Sequence, residues 1–388
     1  MKLLYLFNSA ESSVAIVTLN QVKALRKFYP ELDIKIACVN YYPERSVLEG
    51  EIDYKKTYNS NQIINYIQSF LFVRKVKKIF KPDITISNLG AANTFNSLID
   101  IKDIKIGIFH SPMEQFKTKN FLSRLLNKVS ILFIYSKLNS IIGISEEVVN
   151  DLKKHIKNNE ILLFYNLHNI PDIKEKSNSI IDSIIEDKKS FEILCLGTIN
   201  FNKRQDLLLK IIKYHPNKQI KLYIVGEIKD NDYFNKLTNF IIKNNIKDQV
   251  VMIPFMDNPY PLIKRVDLLI STSESEGLPG VMIESLILNT PVISTSSSKG
   301  VWEIFSKNIE YNVLLKEIIK TSKGIILPNP RNIDESTFIQ LTIQSIDYIL
   351  YNKSNIEKEE FSFLNSIDEN SIHSYYNFLE KKIYENNN

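Results

Sequence analysis

The chain alternates short apolar runs with longer amphipathic stretches, and it does so in two successive series. In the first series, the runs with the length and β-branched character of buried strands are Leu3–Phe7, Ile34–Val39, Ile84–Ser87, Ile104–Phe109, Ser140–Ile144 and Leu162–Tyr165. Helical periodicity separates them at Leu19–Phe28, Ile63–Phe80, Phe121–Tyr135 and Glu146–His155. A strand–helix alternation of this kind predicts a parallel sheet with helices on both faces.

The second series repeats this pattern. Its predicted strands are Glu192–Leu196, Lys221–Val225, Val250–Ile253, Leu268–Ser271, Pro291–Ser294 and Gly324–Leu327. Its predicted helices are Leu207–Tyr214, Tyr233–Asn244, Val281–Leu288 and Ser336–Tyr351. Because a single core rarely organises as many as 388 residues, two domains are expected. We therefore predict an α/β chain of two Rossmann-like, doubly wound parallel-sheet domains at residues 1–172 and 190–367, joined by a polar linker at 173–189.

The composition is that of an ordinary globular protein, with 44% hydrophobic and 24% charged residues. No apolar run reaches the roughly 18 residues that a membrane span needs. The first apolar run, Leu3–Phe7, is too short for a signal peptide and is interpreted as a strand. Cys38 and Cys195 both lie in apolar runs, which favours buried thiols in a reducing compartment. These features predict a cytoplasmic protein.

Positive charge is concentrated in the first part of the chain. Residues 1–170 hold 23 Lys and Arg against 15 Asp and Glu, whereas the remainder holds 26 against 29. Two interpretations stay open: a solvated basic surface, or a surface that meets an anionic partner such as a phospholipid bilayer or a lipid diphosphate. The basic and aromatic stretch at Phe116–Lys128 has the same two interpretations, a helix packed on the sheet or a helix lying on the inner face of the cell membrane.

Two carboxylates, Glu276 and Glu284, flank a Gly/Pro turn that follows a predicted buried strand. Glu276 belongs to the loop at the carboxyl end of the strand, and Glu284 to the start of the next helix. Ligands of open α/β sheets bind in this crevice. Carboxylates accept hydrogen bonds from sugar or ribose hydroxyls, and a helix start attracts phosphate. A nucleotide sugar carries these groups in the matching order, so the segment predicts a nucleotide-sugar site.

The second domain opens with a strand that runs into Gly197 and then into the basic pair Lys203 and Arg204, just before a helix. A glycine at this point lets the backbone approach a ligand closely. The two cations could reach a diphosphate in the crevice. The alternative is a basic loop pair exposed to solvent.

Several of these segments together resemble family 4 of the glycosyltransferases, which are retaining enzymes of the GT-B fold with nucleotide-sugar donors. The resemblance is carried by Gly197 to Lys203, Val225-Gly226, Glu276 to Glu284, Thr290–Ser294, Ile142–Val148 and Tyr165–Asn169. It covers roughly residues 100–330 well and the first 100 weakly. It implies two domains that face a central cleft, with an acceptor-binding first domain and a C-terminal helix, at about 368–388, that returns to this domain.

The resemblance also implies roles for individual residues. Glu284 would accept hydrogen bonds from the ribose, Glu276 would hold hydroxyls of the donor sugar, and Lys203 would neutralise the diphosphate. The complete implied donor-binding set is Gly197, Thr198, Lys203, Arg204, Gly226, Pro254, Phe255, Glu276, Gly277, Leu278, Pro279, Gly280, Val281 and Glu284. The implied catalytic residues are Lys203, Glu276 and His110, the last facing the donor from the first domain. Ser9, Ala10 and Glu11 would form the loop near the donor phosphate and the acceptor.

Two positions depart from the family pattern. Many members place an Arg where this chain has Thr198, so the diphosphate would lose one cation unless Arg204 supplies it. The usual Gly-Gly-x-x-Glu segment is represented by Lys299–Glu303, which keeps Gly300 and Glu303. Both departures affect the phosphate contacts more than the fold.

The expected activity is transfer of a hexose-type sugar from a nucleotide-diphosphate sugar, UDP-sugar rather than GDP-sugar, to a glycan or lipid-linked acceptor in cell-surface polysaccharide or glycoconjugate synthesis. A retaining double displacement needs a carboxylate nucleophile that the sequence does not clearly supply, which favours front-face substitution. Asp230-Asn231-Asp232 is interpreted as a surface turn, so we expect no metal and no other cofactor. No nucleic-acid partner is expected. The alternatives are a nucleotide-sugar epimerase or hydrolase on the same fold, or a non-catalytic nucleotide-sugar-binding subunit.

Overall fold

A computed structural model of the protein describes residues 1–10, 13–42, 49–112, 134–157, 159–180, 190–305, 311–352 and 371–387. The chain divides into two compact units, Met1–Asn169 with Asn365–Asn388, and Ile170–Leu364. The predicted stretch Phe116–Lys128 and residue Glu11 lie outside the described residues, as does most of the predicted helix Phe121–Tyr135.

The first unit contains a seven-stranded parallel sheet in the order β3-β2-β1-β4-β5-β6-β7. Its strands are β1 (Lys2–Ser9), β2 (Asp33–Tyr41), β3 (Tyr54–Thr57), β4 (Ile84–Asn88), β5 (Ile104–Phe109), β6 (Ser140–Gly143) and β7 (Glu160–Leu163). Its helices before residue 170 are α1 (Ser13–Phe28), α2 (Gln62–Phe80), α3 (Gly90–Leu98) and α4 (Glu146–His155). In the central β1, every side chain from Leu3 to Phe7 is fully buried, as expected for a parallel strand covered on both faces.

The second unit repeats the architecture in the order β10-β9-β8-β11-β12-β14-β13. Its strands are β8 (Phe191–Leu196), β9 (Ile220–Val225), β10 (Val250–Ile253), β11 (Leu268–Ser271), β12 (Val292–Thr295), β13 (Ile319–Thr321) and β14 (Gly324–Leu327). Its helices are α5 (Ile170–Lys176), α6 (Gln205–Tyr214), α7 (Asn231–Lys243), α8 (Tyr260–Arg265), α9 (Gly280–Ile287), α10 (Lys299–Phe305) and α11 (Glu335–Asn352). All pairings in this sheet are parallel except the edge pair of β13 with β14.

The C-terminal helix α12 (Ile372–Asn387) packs within the first unit, as predicted. The ring of Tyr376 stacks on Tyr29 of the α1–β2 loop with their centroids 3.6 Å apart. Tyr375 and Leu379 are buried, and the ring of Tyr375 meets Phe164 edge-on at 5.3 Å. The predicted α/β class with two doubly wound parallel-sheet domains is thus confirmed.

The short elements were not predicted. They are β3, α3, α5, α8, α10 and β13. The predicted linker at 173–189 begins inside α5, where Ile173 is buried, so this part of it is an ordered helix of the second unit. Among the described residues, no helix is both long and apolar enough to cross a bilayer. Cys38 and Cys195 are both buried.

Candidate functional site

The candidate site lies at the carboxyl edge of the second sheet. The chain order reverses between β8 and β11, which are neighbours in the sheet. Gly197 follows β8, Gly226 follows β9, and Thr272 follows β11, so all three loops leave the sheet at the same edge. Because ligands of open α/β sheets bind at such a switch point, the topology brings together the segments that carry most of the predicted donor-binding residues.

Two glycines let the loops after β8 and β9 come into contact. Gly226 has a φ of +159°, and a Cβ built on it would lie 1.9 Å from the carbonyl oxygen of Gly197. Gly197 itself has a φ of +156°, in the region that L side chains rarely adopt. Gly226 therefore fixes the path of the Gly197 loop through backbone contact.

The Gly197 loop carries Lys203 into the site. Residues Phe201–Lys203 form a single 3₁₀ turn, which the side chain of Asn200 caps by accepting a hydrogen bond from the backbone N–H of Lys203. The Lys203 ammonium lies 2.5 Å from Oε1 of Glu276, and both side chains are largely buried. The two residues with predicted catalytic roles in this unit are thus in direct contact, although 73 positions separate them in the sequence.

Backbone and side-chain hydrogen bonds hold this loop against the loop after β11. Asn202 donates from Nδ2 to the carbonyl of Ser275 at 2.9 Å, and its own carbonyl accepts from the N–H of Glu274 at 2.8 Å. The hydroxyl of Thr272 donates to the carbonyl of Lys203 at 3.0 Å. The relative position of Lys203 and Glu276 therefore depends on an extensive set of contacts and not on their ion pair alone.

Ser298 and Gly300 both contact the turn between Glu276 and Glu284. The hydroxyl of Ser298 donates to the carbonyl of Gly277 at 2.7 Å. Gly300, in the first turn of α10, lies so close that a Cβ on it would be 2.3 Å from the same carbonyl oxygen. Gly300, the glycine kept from the family's Gly-Gly-x-x-Glu pattern, is thus needed for this close approach.

Arg204 has a different role from the predicted one. Its guanidinium binds Asp206 through Nε at 3.0 Å and Nη2 at 3.1 Å, and it binds Glu274 through Nη1 at 2.7 Å. Glu274 is buried and also accepts from Arg331 at 2.7 Å. Both of these acids hold the guanidinium in place, so the geometry does not support Arg204 as the cation missing at Thr198. Thr198 contributes only its hydroxyl and carbonyl, which accept from Asn200 and Gln205.

Glu284 is the fifth of the eight residues of α9, just past the first turn and not at the helix start as predicted, and it is partly buried. Its surroundings raise the pKa of its carboxyl group to about 7, because the carboxylate is withdrawn from water; a hydrogen bond from Tyr260 acts in the opposite direction. Tyr260 begins α8, and burial together with the charges of Glu284 and Asp172 raises the pKa of its phenol. The predicted ribose-binding carboxylate is therefore held by a tyrosine that the sequence did not reveal.

The start of α9 has no side-chain cap among the described residues. Pro279 precedes the helix. The remaining turn residues, Gly277, Leu278, Gly280 and Val281, lie between the two carboxylates. Pro254 and Phe255 follow β10 as predicted and are exposed, with Phe255 presenting a free aromatic surface at the same edge of the sheet.

The predicted residues of the first unit follow its own strand ends. Ser9 ends β1, and the adjacent Ala10 is buried. His110 follows β5, and its Nε2 lies 2.9 Å from Oδ1 of Asn88 at the end of β4. Burial lowers the pKa of His110 to about 4, so its imidazole is neutral at physiological pH. Its predicted role toward a donor stays a prediction.

Asp230, of the Asp-Asn-Asp turn, caps α7 by accepting from the backbone N–H of Tyr233 at 2.9 Å. Within the described ranges, no group of three or more His, Cys, Asp or Glu side chains is arranged to hold a metal ion.

Three residues of the site were missed at the level of sequence: Tyr260, Glu274 and Arg331. Each of them contacts a partner at least 24 positions away in the sequence, the shortest separation being that of Tyr260 and Glu284. No motif in the sequence indicates these contacts. Glu274 was visible only as a second acid just before Glu276. In chemical terms, the assembled site brings together the Lys203 cation, the Glu276 carboxylate beside it, the Glu284 carboxylate on the next helix, and a helix start without a side-chain cap among the described residues.

Comparisons with known proteins show what this unit is similar to. Residues 176–332 match the family Glycosyl transferases group 1. An uncharacterized glycosyltransferase from Methanocaldococcus jannaschii is 28% identical over 284 residues, which are 66% of this chain and 68% of that protein.

A second relative, from Campylobacter jejuni, is 29% identical over 204 residues, 51% of this chain and 52% of that protein. It is named N-acetylgalactosamine-N,N'-diacetylbacillosaminyl-diphospho-undecaprenol 4-alpha-N-acetylgalactosaminyltransferase. The present chain thus spans about half the length of this second relative.

Among solved structures, HepE of Anabaena in complex with UDP-glucose superposes with a TM-score of 0.74 at 14% identity, covering 98% of this chain and 100% of that one. The likeness extends through both units and establishes the GT-B architecture. Residues 176–332 are therefore similar to glycosyl transferases group 1, the chain has a GT-B fold, and the matched domain and the glycosyltransferase relatives support a transferase.

Proposed function

We propose that the protein is a retaining transferase similar to family 4 of the glycosyltransferases, which moves a hexose-type sugar from a nucleotide-diphosphate sugar to a glycan or lipid-linked acceptor in cell-surface polysaccharide or glycoconjugate synthesis. The observation that carries this proposal is the contact of Lys203 with Glu276 at the carboxyl edge of the second sheet, with Glu284 on the following helix. A nucleotide-sugar donor carries a sugar, a diphosphate and a ribose in this order, which corresponds to Glu276, Lys203 and Glu284.

The proposed donor position assigns one part of the ligand to each side chain. Glu284 accepts hydrogen bonds from the ribose hydroxyls, and Tyr260 keeps its carboxyl group in place. Lys203 binds the diphosphate together with N–H groups at the start of α9. Glu276, which already contacts Lys203, holds hydroxyls of the sugar. Phe255 lies on the loop proposed to run beside the base.

UDP is the proposed nucleotide. HepE, whose fold this chain shares, was solved with UDP and with UDP-glucose. The proposal of a lipid-linked acceptor rests on the name of the Campylobacter relative, which contains a diphospho-undecaprenol. We place the reaction in the cytoplasm, at the inner face of the cell membrane, where such an acceptor would be accessible.

The proposed chemistry is a front-face substitution. The acceptor hydroxyl oxygen forms a bond to the anomeric carbon on the face from which the diphosphate leaves, and the bond between this carbon and the phosphate oxygen breaks. The hydroxyl proton passes to the leaving phosphate oxygen. Lys203 stabilises the negative charge that develops there, and the protein otherwise contributes positioning. A product with inverted anomeric configuration in NMR spectra would contradict this step.

Metal independence belongs to the same proposal, because Lys203 supplies a cation at the diphosphate. Activity should survive EDTA. Loss of activity in EDTA and recovery with Mn²⁺ would contradict it.

A donor screen by thermal shift tests the proposal directly. UDP-sugars should raise the melting temperature of the wild-type protein more than GDP-sugars do. Glu284→Ala should lose this response, and Glu276→Ala should keep the nucleotide response but lose discrimination among sugars. Asp230→Ala provides a control, since Asp230 only caps α7. Conversion of the donor without any acceptor would instead favour a hydrolase or epimerase, and nucleotide binding with no turnover would favour a non-catalytic subunit.

A further inference from the structure

Helix α2 presents apolar side chains on two opposite faces. One face, with Val73, Val76 and Phe80, is buried against the first unit. On the other face, Ile63 is 75% exposed, and Ile67 and Leu71 are each 54% exposed. Because residues four apart lie above one another on a helix, these three form one stripe. A surface helix normally has a polar outer face, so this stripe calls for an explanation.

Basic residues extend the same stripe toward the C-terminal end of α2. Arg74 and Lys78 fall on the line of Ile67 and Leu71, and Lys75 lies beside them; all three basic residues are exposed. The helix sequence from Gln62 to Phe80 contains no acidic residue. The outer face of α2 is therefore apolar in its first half and basic in its second.

Positive charge extends beyond the end of the helix. Lys81 is the C-cap residue, and it lines a cleft together with Lys78 and Lys102. Asp83 and Asp103 also line this cleft, but Asp103 is already paired with the buried Lys77 at 2.8 Å. The exposed charge at this end of α2 is thus predominantly basic.

We propose that this outer face of α2, defined by Ile63, Ile67, Leu71, Arg74 and Lys78, docks on an anionic lipid bilayer. A helix that lies in the membrane interface combines an apolar face with Lys and Arg side chains, which contact anionic headgroups. The apolar half of the stripe enters the boundary between headgroups and acyl chains, and the basic half remains at the phosphates.

The charge pattern favours lipid over a second copy of the chain. Two copies that met through this face would place basic residues against basic or apolar residues, since the stripe offers no acid to complement them. A bilayer that contains anionic lipid supplies both the apolar interior and the complementary charge.

This inference deepens the proposed function, on which it rests for its biological purpose, because a lipid-linked acceptor is held in the bilayer. None of the residues of this surface belongs to the stretch Phe116–Lys128 singled out in the sequence. Its binding can also be measured without any donor or acceptor, so the two proposals can fail separately.

Co-sedimentation with vesicles of phosphatidylglycerol and phosphatidylcholine tests the surface, with pure phosphatidylcholine for comparison. The wild-type protein should sediment with the anionic vesicles, and less so as salt increases. The triple variant Ile63→Ser, Ile67→Ser, Leu71→Ser should bind at least about tenfold more weakly. The variant Arg74→Gln, Lys75→Gln, Lys78→Gln should lose the preference for anionic lipid.

The matched control lies on α7 of the other unit, where Ile242 is 71% exposed and Lys236 and Lys243 are also exposed. Ile242→Ser with Lys236→Gln and Lys243→Gln should bind vesicles like the wild type. All variants should keep the wild-type response to UDP in the thermal-shift assay, since α2 belongs to the first unit and the control residues on α7 are outside the proposed donor-binding set.

Three results would overturn the inference: no sedimentation of the wild type with anionic vesicles at low salt, equal binding by the α2 variants, or a wild-type dimer that the serine variant converts to a monomer in light scattering. The last result would make this face an interface between copies. Vesicle binding without any nucleotide response would instead count against the proposed function alone.

Discussion

The ammonium of Lys203 lies 2.5 Å from the carboxylate of Glu276. This contact joins the loop after β8 to the loop after β11 at the switch point of the second sheet. The proposed donor site thus has a cation and, beside it, a carboxylate that can accept hydrogen bonds from sugar hydroxyls. Thr198 carries no charge, and Arg204 is bound by two acids whereas Lys203 is bound by one, so we expect Lys203 to neutralise a leaving diphosphate.

Lys203→Ala should therefore lower kcat by roughly 10²- to 10³-fold, the usual effect of removing one group that stabilises a developing anion. The measurement is steady-state transfer at saturating donor. Lys236→Ala, an exposed lysine on α7, should leave kcat unchanged. A Lys203→Ala variant within about twofold of wild-type kcat would show that the diphosphate is stabilised elsewhere.

Glu274 should prove to be a positioning residue. Glu274→Gln removes the negative charge and one of the two oxygens that bind Arg204 and Arg331, and it should lower the free energy of unfolding by about 1–3 kcal/mol. The loss should be less than for a fully buried pair because Arg204 keeps Asp206. Arg331→Gln is the matched comparison; its side chain is 59% exposed, and its loss should cost less than about 1 kcal/mol. Chemical denaturation measures both, and equal effects would contradict this order.

Gly226 should tolerate no side chain. In Gly226→Ala the new Cβ would lie 1.9 Å from the carbonyl oxygen of Gly197, which belongs to backbone and cannot rotate away. We expect a loss of about 2–4 kcal/mol in stability and weaker nucleotide binding, because the Gly197 loop must move. Gly50→Ala, where no atom lies within 4 Å of a new Cβ, serves as the control and should change stability by less than about 0.5 kcal/mol. Normal stability of Gly226→Ala would contradict the described approach of the two loops.

Glu284 should make the stability of the ligand-free protein depend on pH. Its pKa is raised from 4.5 to about 7, so between these values the folded protein holds more protons than the unfolded chain, and stability falls as the pH rises. Above pH 7 the cost of the buried carboxylate is fully present, about 1–3 kcal/mol after allowance for its partial contact with water.

Glu284→Gln, which stays neutral, should remove this dependence and be more stable than the wild type at pH 8 but not at pH 4. Urea denaturation across this range provides the test. Parallel pH profiles for the two proteins would show that Glu284 does not titrate in this window.

The sheet strands and the motif-bearing loops could be predicted from sequence because their signals are local. A buried strand such as β11 is a continuous apolar run, and the Gly/Pro turn after it is equally visible. The short helix α8 gave no periodic signal over its six residues, so Tyr260 was not recognised. The part of α5 from Ile173 onward was predicted as linker and its first three residues as the end of the first domain, because a polar helix with a single buried residue, Ile173, has the composition of a loop.

The contacts of Arg204 show a second kind of feature that could not be predicted from the sequence. A basic pair before a helix suggests phosphate binding, and this prediction is made without knowledge of distant acids. Glu274 lies 70 positions away and reaches Arg204 only through the pairing of β8 with β11. The neighbouring Lys203 contacts Glu276, since both belong to the motif loops at this edge; their roles toward a donor stay predictions. Pairing with distant acids therefore distinguishes the two adjacent cations, since Arg204 contacts two carboxylates and Lys203 contacts one.

The central claim is that Lys203 binds the diphosphate and Glu284 the ribose of one nucleotide. Comparison of UDP with uridine tests it most directly, by isothermal titration for UDP and ligand-observed NMR for the weaker nucleoside. Lys203→Ala should weaken UDP binding and leave uridine binding unchanged, whereas Glu284→Ala should weaken both. Equal losses for UDP and uridine in Lys203→Ala, or wild-type affinity for both in Glu284→Ala, would contradict the claim.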